Sequence, residues 1–189
     1  MKNALILHGK PKKERYLDPE QPKPHQANWL PWLAEQLEVR GVTTEIPEFP
    51  QPYAPDYNRW RTTFEQHTVT NHTGIVGHSA GAGFILRWLS ENSSTEIERV
   101  VLVAPWHDKN HEYGKDFFDY DIDPNLANRV GRLVIINSID DGQNIQDSVS
   151  MIREAIEGIH YREFEGYGHF MLGNKMNSTD FPELLEELG

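Results

Sequence analysis

The chain has 189 residues, 38% of them hydrophobic and 25% charged, with a formal net charge of −11. That length and balance fit one globular domain, able to hide roughly 70% of its unfolded-chain surface, and exclude a disordered chain. The acidic excess argues against nucleic acid or an anionic membrane as partner, since both need a basic face, and the absence of cysteine excludes disulfides, thiolate metal sites and a cysteine nucleophile.

Short apolar runs alternate with helical patterns along the chain. Residues 4–7, Ala-Leu-Ile-Leu, form a continuous apolar run stopped by His8-Gly9-Lys10. Such a run reads as a strand buried on both faces and is too short for a signal-peptide core. No stretch approaches the ~20 apolar residues of a membrane span, so a cytoplasmic protein is expected. Residues 11–24, rich in Lys, Pro and Glu, read as a loop. Residues 28–40 carry Trp29, Leu30, Leu33, Leu37 and Val39 at roughly helical spacing, with Pro31 near the start and Gly41 where a C-cap falls. Val42, Thr44 and Ile46 alternate with polar residues up to Pro47, as in an edge strand.

Residues 57–67 read as a helix, 74–77 as a strand, and 80–91, with Phe84, Ile85, Trp88 and Leu89, as a second amphipathic helix. Residues 99–104 and 132–137 are the clearest buried strands. A helix over 145–157 and a strand over 159–164 follow. The chain closes on a helix over 180–188, with Asp180 and Glu183 in a capping-box pattern. Strands separated by helices imply an α/β fold, a three-layer sandwich of about six parallel strands. One domain over 1–189 is expected, with 105–128 as a cap-like insertion holding Trp106, Tyr113, Phe117, Phe118 and Tyr120. Because it follows a strand, that insertion is expected over the carboxyl edge of the sheet, where ligands bind in this architecture.

Gly77-His78-Ser79-Ala80-Gly81 matches G-x-S-x-G between a strand and a helix. This is the setting of a nucleophile elbow, in which a serine projects from a crowded strand-to-helix turn. Gly77 and Gly81 would relieve the crowding, and Gly83 would let the helix lie close to the sheet. At background Gly and Ser frequencies of about 7% each, the three positions recur by chance in roughly 6% of chains this long. The motif therefore needs support elsewhere: an acid and then a histidine after later strands. Asp140 and Asp141 follow the strand at 132–137, and His169 follows the strand at 159–164.

The chemistry assigns roles. Serine is a weak nucleophile at its own pKa, so His169 would take the Ser79 proton and return it to the leaving group. Asp141, or Asp140 beside it, would hold the imidazole's tautomer and stabilise its charged form. The Ala80 N–H is one expected oxyanion donor and the Lys10 N–H the other, with Gly9 permitting close approach. Gly9, His78, Trp106, Phe117 and Phe118 are the expected substrate contacts, for a small carboxyl-ester-like molecule.

The competing reading is a non-catalytic protein-interaction module on the same scaffold, although no residue points to a particular partner. His107 and His111 have the i, i+4 spacing of two zinc ligands but lack the glutamate of a metalloprotease motif, so no metal is expected. With no glycine-rich phosphate cradle, no cofactor is expected either.

These residues together resemble the small serine hydrolases of the α/β-hydrolase superfamily, and most of all the compact group containing the retinoblastoma-binding serine hydrolase and its bacterial relatives. The resemblance rests on the start Ala-Leu-Ile-Leu-His-Gly at 4–9, on Trp29 and Trp32, and on the elbow from Ile75 to Ala82. It continues through the strand at 100–104, Ser138-Ile139-Asp140-Asp141 and Gly168-His169-Phe170. It implies a compact α/β-hydrolase fold with Ser79 as nucleophile, His169 as base and the second aspartate of the pair, Asp141, as acid. The segment after that acid, Gly142-Gln143-Asn144-Ile145, lacks the proline common in the group.

Overall fold

Asn3–Leu7 (β1), Thr43–Glu45 (β2), Thr73–His78 (β3), Ile97–Val103 (β4), Val130–Ser138 (β5) and His160–Phe164 (β6) form one parallel sheet in the order β2-β1-β3-β4-β5-β6. The computed structural model describes residues 1–108 and 115–189. Burial explains the composition of each strand. All six residues of β3 are buried, whereas β2 and β6, at the edges, alternate with solvent. Leu7 pairs with Gly77, His78 with Val103, and Ser138 with Phe164, so the carboxyl ends of the strands share one rim. The chain reverses its direction of advance between β1 and β3. The turn at residues 8–10 and the turn at Ser79 therefore meet at the topological switch point.

The helices are Lys13–Leu17 (α1), Leu30–Val39 (α2), Tyr57–Phe64 (α3), Ala80–Glu91 (α4), Lys115–Phe118 (α5), Gln143–Ala155 (α6) and Pro182–Glu186 (α7). Helix α2 ends where expected. Gly41 takes a φ of 81°, and the N–H groups of Gly41 and Val42 donate to Glu38 and Leu37. Helices α2 and α7 pack together, as do α3 and α4. Two aromatic clusters cover the sheet. Phe49, Trp60, Phe64 and Phe84 form one, and Trp29, Phe164, Phe170 and Phe181 the other. No helix of the described residues is long and apolar enough to cross a membrane.

Three expectations are corrected. Residues 11–24 are not a plain loop, because they contain α1 and lead into a 3-10 turn at Pro24–Gln26. The capping box at 180–183 does not form. Phe181 takes the cap position, fully buried and stacked on Phe170, and Glu183 accepts the Tyr167 hydroxyl at 2.8 Å. Burying a phenylalanine is worth about 1.5–3 kcal/mol against about 1 for a cap, so burial decides the geometry. Gly83 does not serve the sheet, since a Cβ there would lie 2.2 Å from the Trp106 carbonyl oxygen. The absent side chain instead admits the segment that follows β4.

Candidate active site

Ser79 sits in the turn between β3 and α4 with φ 53° and ψ −116°, a conformation that L-residues rarely adopt and that costs of order 1–3 kcal/mol. Its neighbours hold it there. Its N–H donates to Val103 O at 2.9 Å, and its carbonyl accepts from Gly83 and Trp106. A Cβ on Gly77 would meet Ala82 Cα at 2.6 Å, and one on Gly81 would meet His8 O at 2.6 Å. Glycine at both positions is therefore a packing requirement of the turn.

His169 reaches Ser79 from the loop after β6. Its Nε2 lies 3.0 Å from Ser79 Oγ, and its Nδ1 lies 2.7 Å from Asp141 Oδ2. An ionised carboxylate only accepts, so Nδ1 carries the proton, and the Nε2 lone pair is left to accept from the Ser79 hydroxyl. The Asp141 side chain is 6% exposed, and its other oxygen accepts the Gly142 N–H at 2.6 Å.

The loop carrying His169 is braced from three sides. His78 Nε2–H donates to the His169 carbonyl at 2.9 Å, the Trp29 indole N–H donates to Phe170 O at 3.1 Å, and Asn174 Oδ1 accepts the His169 N–H at 3.2 Å.

Asp140 faces away from the imidazole. It accepts from the N–H groups of Gly166 and Gly168, the Ser138 hydroxyl and the Lys175 ammonium. Lys175 above all, with Ser138, holds its carboxyl well below the usual carboxylate range. Asp140 thus ties down the histidine loop while Asp141 touches the ring.

Two more histidines lie at the site, both buried. His8 donates from Nδ1 to Gly9 O at 2.9 Å and accepts the Phe49 N–H at Nε2. Burial lowers its pKa to about 4. His78 is lowered to about 3, by burial first and then by His169 beside it. Both rings are neutral near pH 7.

A cavity of about 370 Å³ opens onto Ser79 and His169. Its lining includes Gly9, Lys10 and His78. A Cβ on Gly9 would lie 3.0 Å from Ser79 Cβ, so the turn at residues 8–10 packs directly against the elbow, as does the first turn of α4, where Ala80 lies. Trp106, Phe117 and Phe118 do not line the cavity, which corrects their expected role. They are 8%, 3% and 2% exposed, with Phe117 edge-on to Trp60 at 5.1 Å and Phe118 edge-on to Trp106 at 4.9 Å. Large rings bury themselves where a core face is within reach.

The outer wall comes instead from the segment after β1, through Pro11, Lys12, Arg15, Tyr16, Pro22 and Pro24. Sequence reasoning missed these residues. The one available signal was their position directly after the expected oxyanion turn. Tyr113 and the His111 of the possible zinc pair lie outside the described residues. Among the described residues no three or more histidine, aspartate or glutamate side chains converge as a metal site would require.

The elbow, the strand order and the alignment at one rim define an α/β-hydrolase, and solved structures agree on that fold. The product of the ydeN gene of Bacillus subtilis superposes with a TM-score of 0.78 at 23% identity, over 100% of this chain and 97% of that one. Est1E from Butyrivibrio proteoclasticus gives 0.63 at 12% identity, over 99% and 86%. In sequence, the chain is 34% identical over 80 residues to a putative hydrolase, YdeN, of Bacillus subtilis (strain 168). That match covers 41% of this chain and 42% of YdeN, less than half of either protein. The family model described as serine hydrolase matches residues 18–177, and the chain belongs to the serine hydrolase family.

Proposed function

We propose that this member of the family cleaves a small carboxylic ester through an acyl-enzyme on Ser79. The relay of 3.0 Å from Ser79 to His169 and 2.7 Å from His169 to Asp141, set at a strained elbow, carries the reading. His169 Nε2 takes the hydroxyl proton as Ser79 Oγ attacks the carbonyl carbon. The N–H groups of Ala80 and Lys10 donate to the oxyanion of the tetrahedral intermediate, with α4's positive end aimed at the same point. The imidazolium, stabilised by Asp141, protonates the departing alcohol as the carbon–oxygen bond breaks. Water then attacks the acyl-enzyme, giving its proton to His169, and the acid leaves as Ser79 recovers its hydrogen. Gly9 and His78 border the carbonyl, and the proline and leucine walls of the cavity take the apolar part of the ester.

Hydrolysis of p-nitrophenyl acetate tests this reading. Ser79→Ala and His169→Ala are each expected to lower kcat/KM by at least about 10³. Rates equal to wild type in either variant would remove it.

A further inference from the structure

The cavity has a charge opposite to that of the protein. The chain carries 29 acidic and 18 basic residues. Yet Lys10, Lys12 and Arg15 line the cavity, and no aspartate or glutamate does among the described residues. The selection is made by the fold. Lys12 caps α1 and Arg15 lies three residues on, so both fall on the same side of that turn. The carboxylates interleaved with them, Glu14, Asp18 and Glu20, are all left out of the lining. Lys13 leaves the cavity for the Tyr53 ring, 5.6 Å away. Lys23 lies 4.5 Å over the Tyr16 ring and donates to the Tyr16 carbonyl, fixing one wall. Neither Lys12 nor Arg15 has an ion pair among the described residues.

We infer that the ester this site takes carries a negatively charged group, held at the cavity mouth by Lys12 and Arg15 while its carbonyl lies at Ser79; this rests on the proposed esterase reading. A net charge of −11 repels anions at long range, and a local cationic rim is what lets one enter. The planar guanidinium of Arg15 suits the two oxygens of a carboxylate, and the ammonium of Lys12 adds a point charge. Pro11, Pro22, Leu30 and Met171 line the same cavity, and that apolar surface suits a short hydrocarbon spacer between the charged group and the ester. A neutral ester would use the apolar walls and leave both cations facing water.

The test compares mono(p-nitrophenyl) adipate with the neutral isostere whose terminal carboxylate is an isopropyl group. A second pair, p-acetoxybenzoate against p-tolyl acetate, places the charge on the alcohol side. Wild type is expected to prefer the anionic member of at least one pair by about tenfold in kcat/KM at low ionic strength, two exposed charge contacts supplying that much. The preference shrinks in high salt. In Lys12→Gln/Arg15→Gln the ratio falls to about one, through KM of the anionic ester, whereas Lys13→Gln keeps the wild-type ratio. No preference in wild type, a ratio that survives the double substitution, or equal loss in Lys13→Gln would overturn the inference.

Should Ser79 turn over none of these esters, the esterase reading fails separately. Binding of the adipate monoester to Ser79→Ala protein then decides the inference. Tighter binding than the isostere, lost in the double variant, supports it, and equal binding of the two overturns it.

Discussion

Residues 11–24 and the segment 105–128 both leave the carboxyl rim of the sheet, one after β1 and the other after β4. The second holds the aromatic side chains and looks like the wall of a binding site. In the structure its described rings turn inward, Phe117 onto Trp60 and Phe118 onto Trp106. The first is rich in lysine and proline, and it lines the cavity. Apolar rings near a core face gain more by burial than by bordering a water-filled space, since each hides 150–250 Å². A wall that must stay open is better made of residues that cannot collapse: prolines with fixed φ, and charged side chains that keep their heads in water.

This contrast is sharpened or broken by substitution. Phe118→Ala is expected to have the largest effect, about 3–5 kcal/mol of stability by urea unfolding, with KM for p-nitrophenyl acetate within about twofold of wild type. A large change in KM with stability intact would reverse the assignment of the two segments.

Next is acid sensitivity at His8, whose ring sits edge-on to Phe49 and Trp60 in the cluster that Phe117 joins. Its pKa is about 4 folded and about 6.5 unfolded, and that of His78 is about 3 folded. Below pH 6.5 the unfolded chain takes up protons that the native state refuses. Stability therefore falls with pH from about 6.5 to about 4, at up to about 1.4 kcal/mol per pH unit for each ring. His8→Gln is expected to remove about half of that slope, and an unchanged slope would show that His8 protonates freely in the native state.

Asp140→Asn tests support against contact. It weakens the tie to Lys175 and the Gly166–Gly168 backbone while leaving Asp141 on the imidazole. It is expected to lower kcat about tenfold, about 1.4 kcal/mol, with little change in KM. Loss of all activity would instead make Asp140 a member of the relay. The smallest effect is expected from Tyr16→Ala in the segment after β1, a KM raised a few-fold with stability within about 0.5 kcal/mol.

The sheet was legible because its central strands, buried on both faces, read as unbroken apolar runs, and the elbow because its glycines answer a steric demand. Chain order and the places after strands single out Ser79, the Asp140-Asp141 pair and His169 as candidates, and the family resemblance favours Asp141 within the pair. Other features depended on contacts that local sequence does not encode. Lys12 and Arg15 reach the cavity only because α1 folds over the rim. Glu183 leaves its capping role because Tyr167, brought near by the His169 loop, offers a hydroxyl while Phe181 is drawn into the core. Glu187, inside the last helical pattern, is buried against Arg132 and Arg162, two strand residues that the pattern does not reveal.

Intact-mass measurement after treatment with a fluorophosphonate, followed by peptide mapping, tests the central claim most directly. The account predicts one adduct per chain, on Ser79, absent in Ser79→Ala and much slower to form in His169→Gln. An adduct on another residue, or the same adduct mass on Ser79→Ala, would contradict it.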